Sequence, residues 1–217
     1  MNRYTEPDLE NAALLTIDMQ RDFTLSGASA EVPGTNDVVS AVQHVTQQFR
    51  EYESLPIIHV IRLYREDGSN VDLCRRSKIE QGQEIVQPGS DGAELIDELK
   101  LSPRVQVDAD RLLSGAFQPI RSTEMLMYKP RWGVFYNTPL EAYLRDVGVN
   151  TVIICGCNFP NCPRTTVYEA SERDFKMVLV TDAVSGVYER GLDELRDIDT
   201  TLMSSAEIGA LLSEANA

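Results

Sequence analysis

A single thiol, Cys162, lies where a tight turn is expected to give way to a helix. The stretch TVIICGCNFPNCPRTT predicts a buried strand over residues 151–155, a turn over 156–161 and a helix that opens at Pro163. Proline suits the first helical position because its fixed φ fits a helix start and it has no N–H to leave unpaired. The free N–H groups and positive dipole end of a helix favour a thiolate. Cys162 is therefore a candidate nucleophile.

Two charged side chains follow other strands that the apolar pattern predicts. The run AALLTID, residues 12–18, ends in Asp18, and the run MLMYKP, residues 125–130, carries Lys129 next to its end. In a parallel sheet the carboxyl ends of the strands share one edge, and ligands bind there. We therefore expect Asp18 and Lys129 to lie beside Cys162, with the carboxylate as the base for the thiol and the ammonium as its cationic partner.

Histidine, the usual base for a catalytic cysteine, is scarce. The chain has two histidines: His44 falls within a predicted surface helix, and His59 falls in the middle of a predicted strand. Neither position lies at the edge where the thiol is expected. The pattern therefore disfavours a Cys–His dyad of the protease type.

Strands and helices alternate along the chain. Between the predicted strands lie segments with helical spacing and capping signals, which predict a mostly parallel sheet covered on both faces. We expect one domain over residues 1–217, with a polar excursion at about 65–123 that has no clear periodicity. Apolar runs place the strands at 12–18, 55–64, 125–130, 151–155 and 176–186, with a possible sixth short strand between 191 and 203.

The composition narrows the class of partner. The chain has 20 Lys and Arg against 34 Asp and Glu, and this net charge of −14 argues against nucleic acid or an anionic membrane as partner. No apolar stretch reaches the ~18 residues of a membrane span, and the polar N-terminal residues do not resemble a signal peptide. The 4 cysteines without an export signal indicate reduced thiols. We expect a cytoplasmic protein that acts on a small-molecule substrate.

Three segments, in this order and spacing, carry a resemblance to a known family. They are ALLTIDMQRDF, then YKPRWGVFYNTPLEAYLRDVGVNTVIICGCNFPNCPRTTVYEASERDF, then VLVTDAVS. This set is similar to the isochorismatase-like cysteine hydrolase family, whereas residues 65–122 match the family poorly. The resemblance implies a Rossmann-like three-layer α/β fold, with a mostly parallel six-stranded sheet flanked by helices.

The resemblance also implies the site and its chemistry. Family members carry an Asp-Lys-Cys triad, which falls here on Asp18, Lys129 and Cys162, and they cleave C–N bonds of small amides and ureas through a covalent thioester. A cis peptide before the nucleophile would fall at Cys157–Asn158 and would aim the N–H groups of Asn158 and Cys162 at the oxyanion. Family members are commonly homo-oligomers, so a dimer or tetramer is expected.

The residues that would contact substrate follow from the same resemblance and from side-chain chemistry. The aromatic side chains Phe23, Trp132 and Phe135 are the expected walls of the site on the family's pattern. Arg62 and Arg131 are candidates for binding a substrate carboxylate, because a guanidinium offers a bidentate fork.

No cofactor or metal is expected, and two other functions remain open. The nicotinamidases of the family hold a metal with an acidic residue and histidines after the second strand, but RLYREDGSNVD, residues 62–72, contains no histidine. One alternative is the enol-ether hydrolysis of isochorismatase proper, although that enzyme typically lacks the cysteine. The other is a thiol redox or metal-binding protein that uses Cys155, Cys157 and Cys162. A nucleotide-binding module is disfavoured because no glycine-rich phosphate loop follows any predicted strand.

Overall fold

One twisted sheet of seven strands forms the middle layer of the molecule. The structure is a computed structural model that describes residues 2–215. The strand order is β3-β4-β2-β1-β5-β6-β7, and every pairing is parallel except that of β3 with β4. The strands are β1 (Ala12–Ile17), β2 (Ile57–Ile61), β3 (Gln118–Pro119), β4 (Glu124–Tyr128), β5 (Thr151–Gly156), β6 (Lys176–Val184) and β7 (Thr201–Met203).

Helices flank the sheet and complete a three-layer α/β fold. Helix α2 packs against α8 and against β1 and β6, while α6 packs against β5 and β6. Across residues 2–215, no helix combines the length and the apolar composition needed to cross a membrane. The helices are α1 (Arg21–Thr24), α2 (Val39–Arg50), α3 (Leu73–Glu80), α4 (Ala109–Leu113), α5 (Leu140–Asp146), α6 (Cys162–Ser171), α7 (Glu189–Arg196) and α8 (Ser205–Ala215).

The central strands and the longest central helix follow directly from the apolar pattern. All residues of β1, β2 and β5 are buried, as expected of parallel strands with both faces covered. Helix α2 buries Val42, Val45 and Phe49, which recur on one face at helical spacing. The prediction of a mostly parallel α/β sheet is therefore confirmed.

The predicted number of strands was wrong by one. The six expected strands are present, and the seventh, β3, lies within the excursion at 65–123, pairing antiparallel with β4 at the sheet edge. A strand of two residues that includes Pro119 has no alternating pattern, and proline is confined to edges because it has no N–H for the ladder. No periodicity in the sequence could have revealed it.

The connection of the strands creates a crevice at the centre of the sheet. From β1 the chain builds outward through β2 to β4 and β3, and it then returns to β5 and builds outward to β7 on the other side. The strand order therefore reverses between β1 and β5. At such a switch point the loops that leave the two strands diverge, so a ligand can bind outside their carboxyl ends.

A buried polar network fixes β4 to its neighbours away from that crevice. His59 lies between Thr16 and Glu124, with Nδ1 2.7 Å from the Thr16 hydroxyl and Nε2 3.0 Å from Glu124 Oε1. Arg50 of α2 donates to both Glu124 oxygens at 2.6 and 3.0 Å. Burial disfavours the charged carboxylate, but His59 and Arg50 outweigh it and lower the pKa of Glu124 to about 2. His59 therefore forms buried hydrogen bonds in the core of the sheet and is not part of the candidate site.

Replacing Glu124 by glutamine should remove a pH-dependent part of the stability. Since the pKa of Glu124 is lower in the folded chain than in the unfolded chain, its contribution is present above the ordinary value of 4.5 and is lost as the pH falls toward 2. A shift of this size corresponds to about 3 kcal/mol. Denaturant unfolding should show that loss at pH 7 and almost none near pH 2.

The matched control is Glu141→Gln, which removes an exposed carboxylate paired with Arg173. An exposed pair is worth about 0–1 kcal/mol, so this variant should unfold almost like the parent. A Glu124→Gln protein with the parent's stability at pH 7 would contradict the assignment.

Candidate active site

Asp18 follows β1 directly and turns its carboxylate toward the crevice. Its backbone lies in the left-handed region, with φ 54°, and its N–H donates to Val60 O of β2 at 2.9 Å. Aspartate is one of the few residues that tolerate this conformation. The carboxylate is 4% exposed, and its Oδ1 has no hydrogen-bond partner within the described residues.

Lys129 joins the other two candidate residues. Its fully buried ammonium donates to Asp18 Oδ2 at 2.9 Å, to Cys162 Sγ at 3.3 Å and to Arg131 O at 3.2 Å. Three acceptors match the three N–H groups of an ammonium. The structure thus brings Asp18, Lys129 and Cys162 into one cluster at the switch point between β1 and β5.

Cys162 is the first residue of α6. The helix begins one residue earlier than predicted, because Cys162 already has helical geometry and Pro163 follows it. Cys162 therefore lies at the N-terminal end of the helix, where the N–H groups of the first turn have no partner within the helix. Cys162 is 3% exposed, so neighbouring side chains cover almost all of it.

The environment of Cys162 favours the neutral thiol at rest. Burial and the negative charge of Asp18 raise the pKa of Cys162, while Lys129 and Arg62 oppose that rise. Such a thiol does not ionise by itself at neutral pH, so it needs a base within reach. Asp18, held against Lys129 beside the thiol, is the base that the geometry offers.

The expectation of a cis peptide bond at Cys157–Asn158, with Phe159–Pro160 as the other candidate, was wrong, because residues 2–215 contain no cis peptide bond. The turn has trans peptide bonds, and in it Phe159 N–H donates to Ser185 O at 2.7 Å and Asn161 N–H donates to Asn158 O at 3.1 Å. An oxyanion hole formed by the N–H groups of Asn158 and Cys162 stays a prediction.

Gly156 makes the close approach of β5 to β1 possible. Its φ is +114°, and a Cβ at this position would lie 2.2 Å from Ile17 O. The next N–H, that of Cys157, donates to the same carbonyl at 2.8 Å, and the pairing of β5 with β6 shifts register here. Because Ile17 precedes Asp18, this contact sets the distance between the carboxylate and the turn that carries Cys162.

Arg62 is a second buried cation at the thiol. Its side chain is 0% exposed, with Nη1 2.5 Å from Asp72 Oδ2 and Nη2 3.8 Å from Cys162 Sγ, and its Nε lies 4.0 Å from Asp18 Oδ2. Burial disfavours the charged guanidinium, but the neighbouring carboxylates of Asp18 and Asp72 favour it, and the pKa of Arg62 is raised above its ordinary value. A permanent positive charge therefore lies beside the thiol of Cys162.

The other predicted contact residues have different surroundings. Trp132 lies with its ring 5.2 Å from the guanidinium of Arg62, next to the cluster. Phe135 stacks on Phe175, which precedes β6 at the opposite edge of the sheet. Arg131 donates to the carbonyl oxygens of Pro130 and Asn70 at 2.6 and 3.2 Å. Contact of these side chains with substrate stays a prediction.

Gln20 ties the candidate site to the excursion, and no role was predicted for it. Its side-chain amide donates to Arg62 O at 2.8 Å and to Ala93 O at 2.7 Å, and its Oε1 accepts from Arg62 N–H at 2.8 Å. These bonds hold the ends of β1 and β2 and the segment around residue 93 together. The sequence shows this glutamine within the DMQ motif but gives no sign of its partners.

The excursion also supplies two residues that sequence reasoning missed. Asp72 accepts from Arg62 and from the Tyr64 hydroxyl, which lies 3.0 Å from Asp72 Oδ2. Arg75 of α3 donates from Nη1 to the same hydroxyl at 2.8 Å. Phe23, a predicted wall of the site, is 3% exposed, with its ring 5.8 Å from the Arg75 guanidinium. A non-periodic segment gave no signal for these contacts.

The remaining cysteines do not form a ligand set with Cys162. All four cysteines are free thiols, and residues 2–215 contain no group of three or more His, Cys, Asp or Glu side chains suited to a metal. Burial raises the pKa of Cys155 far above its ordinary value and that of Cys157 to about 12. Buried neutral thiols of this kind pack as small apolar side chains.

Comparison with known proteins places the chain among hydrolases. The family model of the isochorismatase domain matches residues 12–207. A protein named "probable inactive nicotinamidase" from Arabidopsis thaliana is 32% identical over 179 residues, which is 81% of each chain. Ureidoacrylate amidohydrolase from Methylorubrum extorquens is 24% identical over 214 residues, with 89% of this chain and 78% of the relative covered.

A solved structure has the same architecture over almost the whole chain. An isochorismatase family protein from Desulfovibrio vulgaris superposes with a TM-score of 0.78 at 30% identity. The match covers 94% of this chain and 98% of the other. The excursion therefore does not alter the fold that the two chains share.

Proposed function

This chain belongs to the isochorismatase family, and from that premise we propose that it is a cysteine hydrolase. The bond that it cleaves is a C–N bond of a small amide, urea or carbamoyl compound, and the reaction passes through a covalent thioester. The observation that carries the proposal is the contact of Lys129 with both Asp18 and Cys162 in the switch-point crevice. A relative that acts on ureidoacrylate supports the choice of bond.

The cysteine favours C–N cleavage over the alternatives. Enol-ether hydrolysis needs only an acid. It would give no role to the buried thiol of Cys162 or to the two cations beside it, Lys129 and Arg62. A thiol redox function needs a second sulfur that can react, whereas Cys155 and Cys157 are buried thiols with raised pKa values. Hydrolysis by a thioester route uses the base, the cation and the nucleophile together.

In the first half of the proposed reaction, Asp18 accepts the proton of Cys162. The thiolate attacks the substrate carbonyl carbon, and the N–H groups of Asn158 and Cys162 stabilise the tetrahedral oxyanion. The protonated Asp18 then gives its proton to the leaving nitrogen, and the C–N bond breaks to release ammonia or an amine. Lys129 holds Asp18 in position through its 2.9 Å bond and favours each negative state by its charge.

In the second half, water hydrolyses the thioester. Asp18 takes a proton from the water while the hydroxide adds to the acyl carbon, and the same two N–H groups again stabilise the oxyanion. The C–S bond breaks, the acid product leaves, and the proton returns from Asp18 to the sulfur. The site is then in its resting state, with a neutral thiol.

The test is ammonia release from a panel of small amides, ureas and ureido acids, with intact-mass measurement of rapidly quenched enzyme. We expect turnover of at least one compound and an acyl adduct on Cys162. Cys162→Ala should lose the adduct and about 10⁴-fold or more in kcat, because a nucleophile acts as a unit with its base. A Cys162→Ala protein that keeps full activity would exclude the thioester route.

The proposal also includes the cellular compartment and the oligomeric state. The substrate is a small molecule, and the four free cysteines fit a reducing compartment such as the cytoplasm. Assembly as a homo-oligomer remains part of the proposal.

A further inference from the structure

Arg75 is a half-buried cation without a matching carboxylate. Its Nη1 donates to the Tyr64 hydroxyl at 2.8 Å, and burial raises the pKa of Tyr64 above its ordinary value, so this partner is neutral. Within the described residues, no Asp or Glu oxygen lies within 4.0 Å of Arg75, and its hydrogen bonds are confined to Nη1. Its Nε and Nη2 are therefore available to a ligand.

The charges around the nucleophile do not balance without a ligand. Lys129 and Arg62 are matched by Asp18 and Asp72, through contacts of 2.9 Å and 2.5 Å. With the thiol neutral, Arg75 and Arg131 both remain without a paired carboxylate in a chain whose net charge is −14. A local positive excess in so acidic a protein favours an anion at this position.

One aromatic ring contacts both Arg75 and Arg62. The centroid of the Trp132 ring lies 5.0 Å from the guanidinium of Arg75 and 5.2 Å from that of Arg62. Arg62 in turn contacts Cys162 Sγ at 3.8 Å. A small molecule that lies along Trp132 would thus reach from Cys162 to Arg75.

Arg75 also belongs to the lining of a cavity. Its volume is about 340 Å³, and Phe23, Arg75, Lys78 and Glu31 belong to its lining. This volume is at the lower end of the range for small-molecule sites. The exposed side chains of Lys78 and Glu31 carry opposite charges, so they leave the excess charge of Arg75 unchanged.

We propose that Arg75 binds a carboxylate of the substrate, so that the preferred substrates are amide or ureido acids and not neutral amides. The carbonyl group lies at Cys162, the chain of the substrate lies along Trp132, and the carboxylate accepts from Nε and Nη2 of Arg75 as from a fork. This inference rests on the proposed function for the identity of the cleaved group. The anion subsite itself is a separate property, which binding can test without turnover.

Arg131 is the competing cation near the site. It also lacks a carboxylate partner among the described residues, but its Nη1 is held by the carbonyl oxygens of Pro130 and Asn70. Both guanidinium groups make their hydrogen bonds through Nη1 alone, and Arg75 has in addition the contact with Trp132. We therefore assign the carboxylate to Arg75 and use Arg131 as a discriminating variant.

The experiment measures binding by calorimetry to the full chain carrying Cys162→Ala, which cannot turn over its ligand. The probes are N-carbamoylglycine, N-carbamoyl-β-alanine and N-carbamoyl-4-aminobutyrate, each paired with its neutral carboxamide. At the best chain length the acid should bind about tenfold more tightly than its amide, since charge-assisted hydrogen bonds form only with the acid. The three lengths also measure the span from the nucleophile to Arg75.

Further substitutions show which side chain causes the preference for the acid over the amide. Arg75→Gln should bring acid and amide within about twofold of each other, whereas Arg75→Lys should keep part of the preference because it keeps the charge without the fork. Lys78→Gln, the matched loss of an exposed cation from the same helix and cavity, should keep all of it. Thermal melting should confirm that each variant is folded.

Several outcomes would overturn the inference. They are equal affinity of acid and amide at every length, no binding by either, a preference that survives Arg75→Gln, or a preference that Arg131→Gln abolishes while Arg75→Gln leaves it. Hydrolysis is measured in a separate experiment with the unsubstituted enzyme, so that the proposed function and the anion subsite are tested independently. An Arg75-dependent acid preference without any hydrolysis would refute the proposed function and support the anion subsite, and hydrolysis without the preference would do the reverse.

Discussion

Asp18→Asn is expected to lower kcat by about 10²- to 10⁴-fold, the range that a general base contributes. The amide keeps the shape of the side chain and an oxygen that can accept from Lys129, but it cannot take the proton of Cys162. Asparagine also tolerates the left-handed backbone of this position, where φ is 54°. The loss should therefore be a loss of chemistry and not of fold. Steady-state kinetics on the best substrate of the panel and thermal melting measure the two separately.

Asp182→Asn is the matched control for that variant. Asp182 lies near the end of β6, and its two oxygens accept from the N–H and hydroxyl of Ser205 at 2.7 Å. It is thus a hydrogen-bonded carboxylate at the same edge of the sheet with no contact to the thiol in the described hydrogen bonds. Its kcat should stay close to that of the parent. An Asp18→Asn enzyme with the parent's kcat would remove Asp18 from the role of base.

Among substitutions that add a single methyl group at the site, Gly156→Ala should be the most destabilising. The added Cβ would lie 2.2 Å from Ile17 O and 2.7 Å from Ile17 N, and both are backbone atoms in the centre of the sheet. Relief would require β1 and β5 to separate, which breaks their ladder and moves Asp18 away from the turn. We expect a loss of about 4 kcal/mol or more in the free energy of unfolding, or no folded protein. Denaturant unfolding measures the loss.

Gly186→Ala separates the steric effect from the backbone effect. Gly186 also has a positive φ, +69°, but a Cβ there would meet nothing closer than 3.5 Å. Only the cost of the left-handed conformation applies, about 1–2 kcal/mol. If the two variants were destabilised equally, the contact with Ile17 would not be the reason that residue 156 is glycine.

The position of the three central residues could be predicted because it depends on strand order alone. Asp18, Lys129 and Cys162 each follow a strand, and parallel strands bring all such positions to one edge. This needs only apolar runs and their ends, which a sequence displays. The resemblance to the isochorismatase family, confirmed by the match over residues 12–207, rests on the same segments.

The surroundings of Cys162 could not be predicted in the same way. Asp72 and Arg75 belong to a polar segment in which no spacing marks a buried face, and their partners lie on other elements. Buried Arg62 pairs with Asp72, so the environment of Arg62 could not be predicted from the sequence either. The turn before Cys162 was expected to contain a cis bond, but a glycine with φ +114° and a register shift bend the chain instead.

The burial of Cys162 has a consequence for the lifetime of the enzyme under oxidative stress. Peroxide oxidises thiolates that it can reach, and the resting Cys162 is neutral and 3% exposed, whereas Cys74 is exposed on α3. Oxidants are therefore expected to react with Cys74 first. If Cys162 is the nucleophile that we propose, it is at risk only while a bound substrate has caused its proton to leave, and the resting enzyme protects it by keeping the thiol neutral and covered.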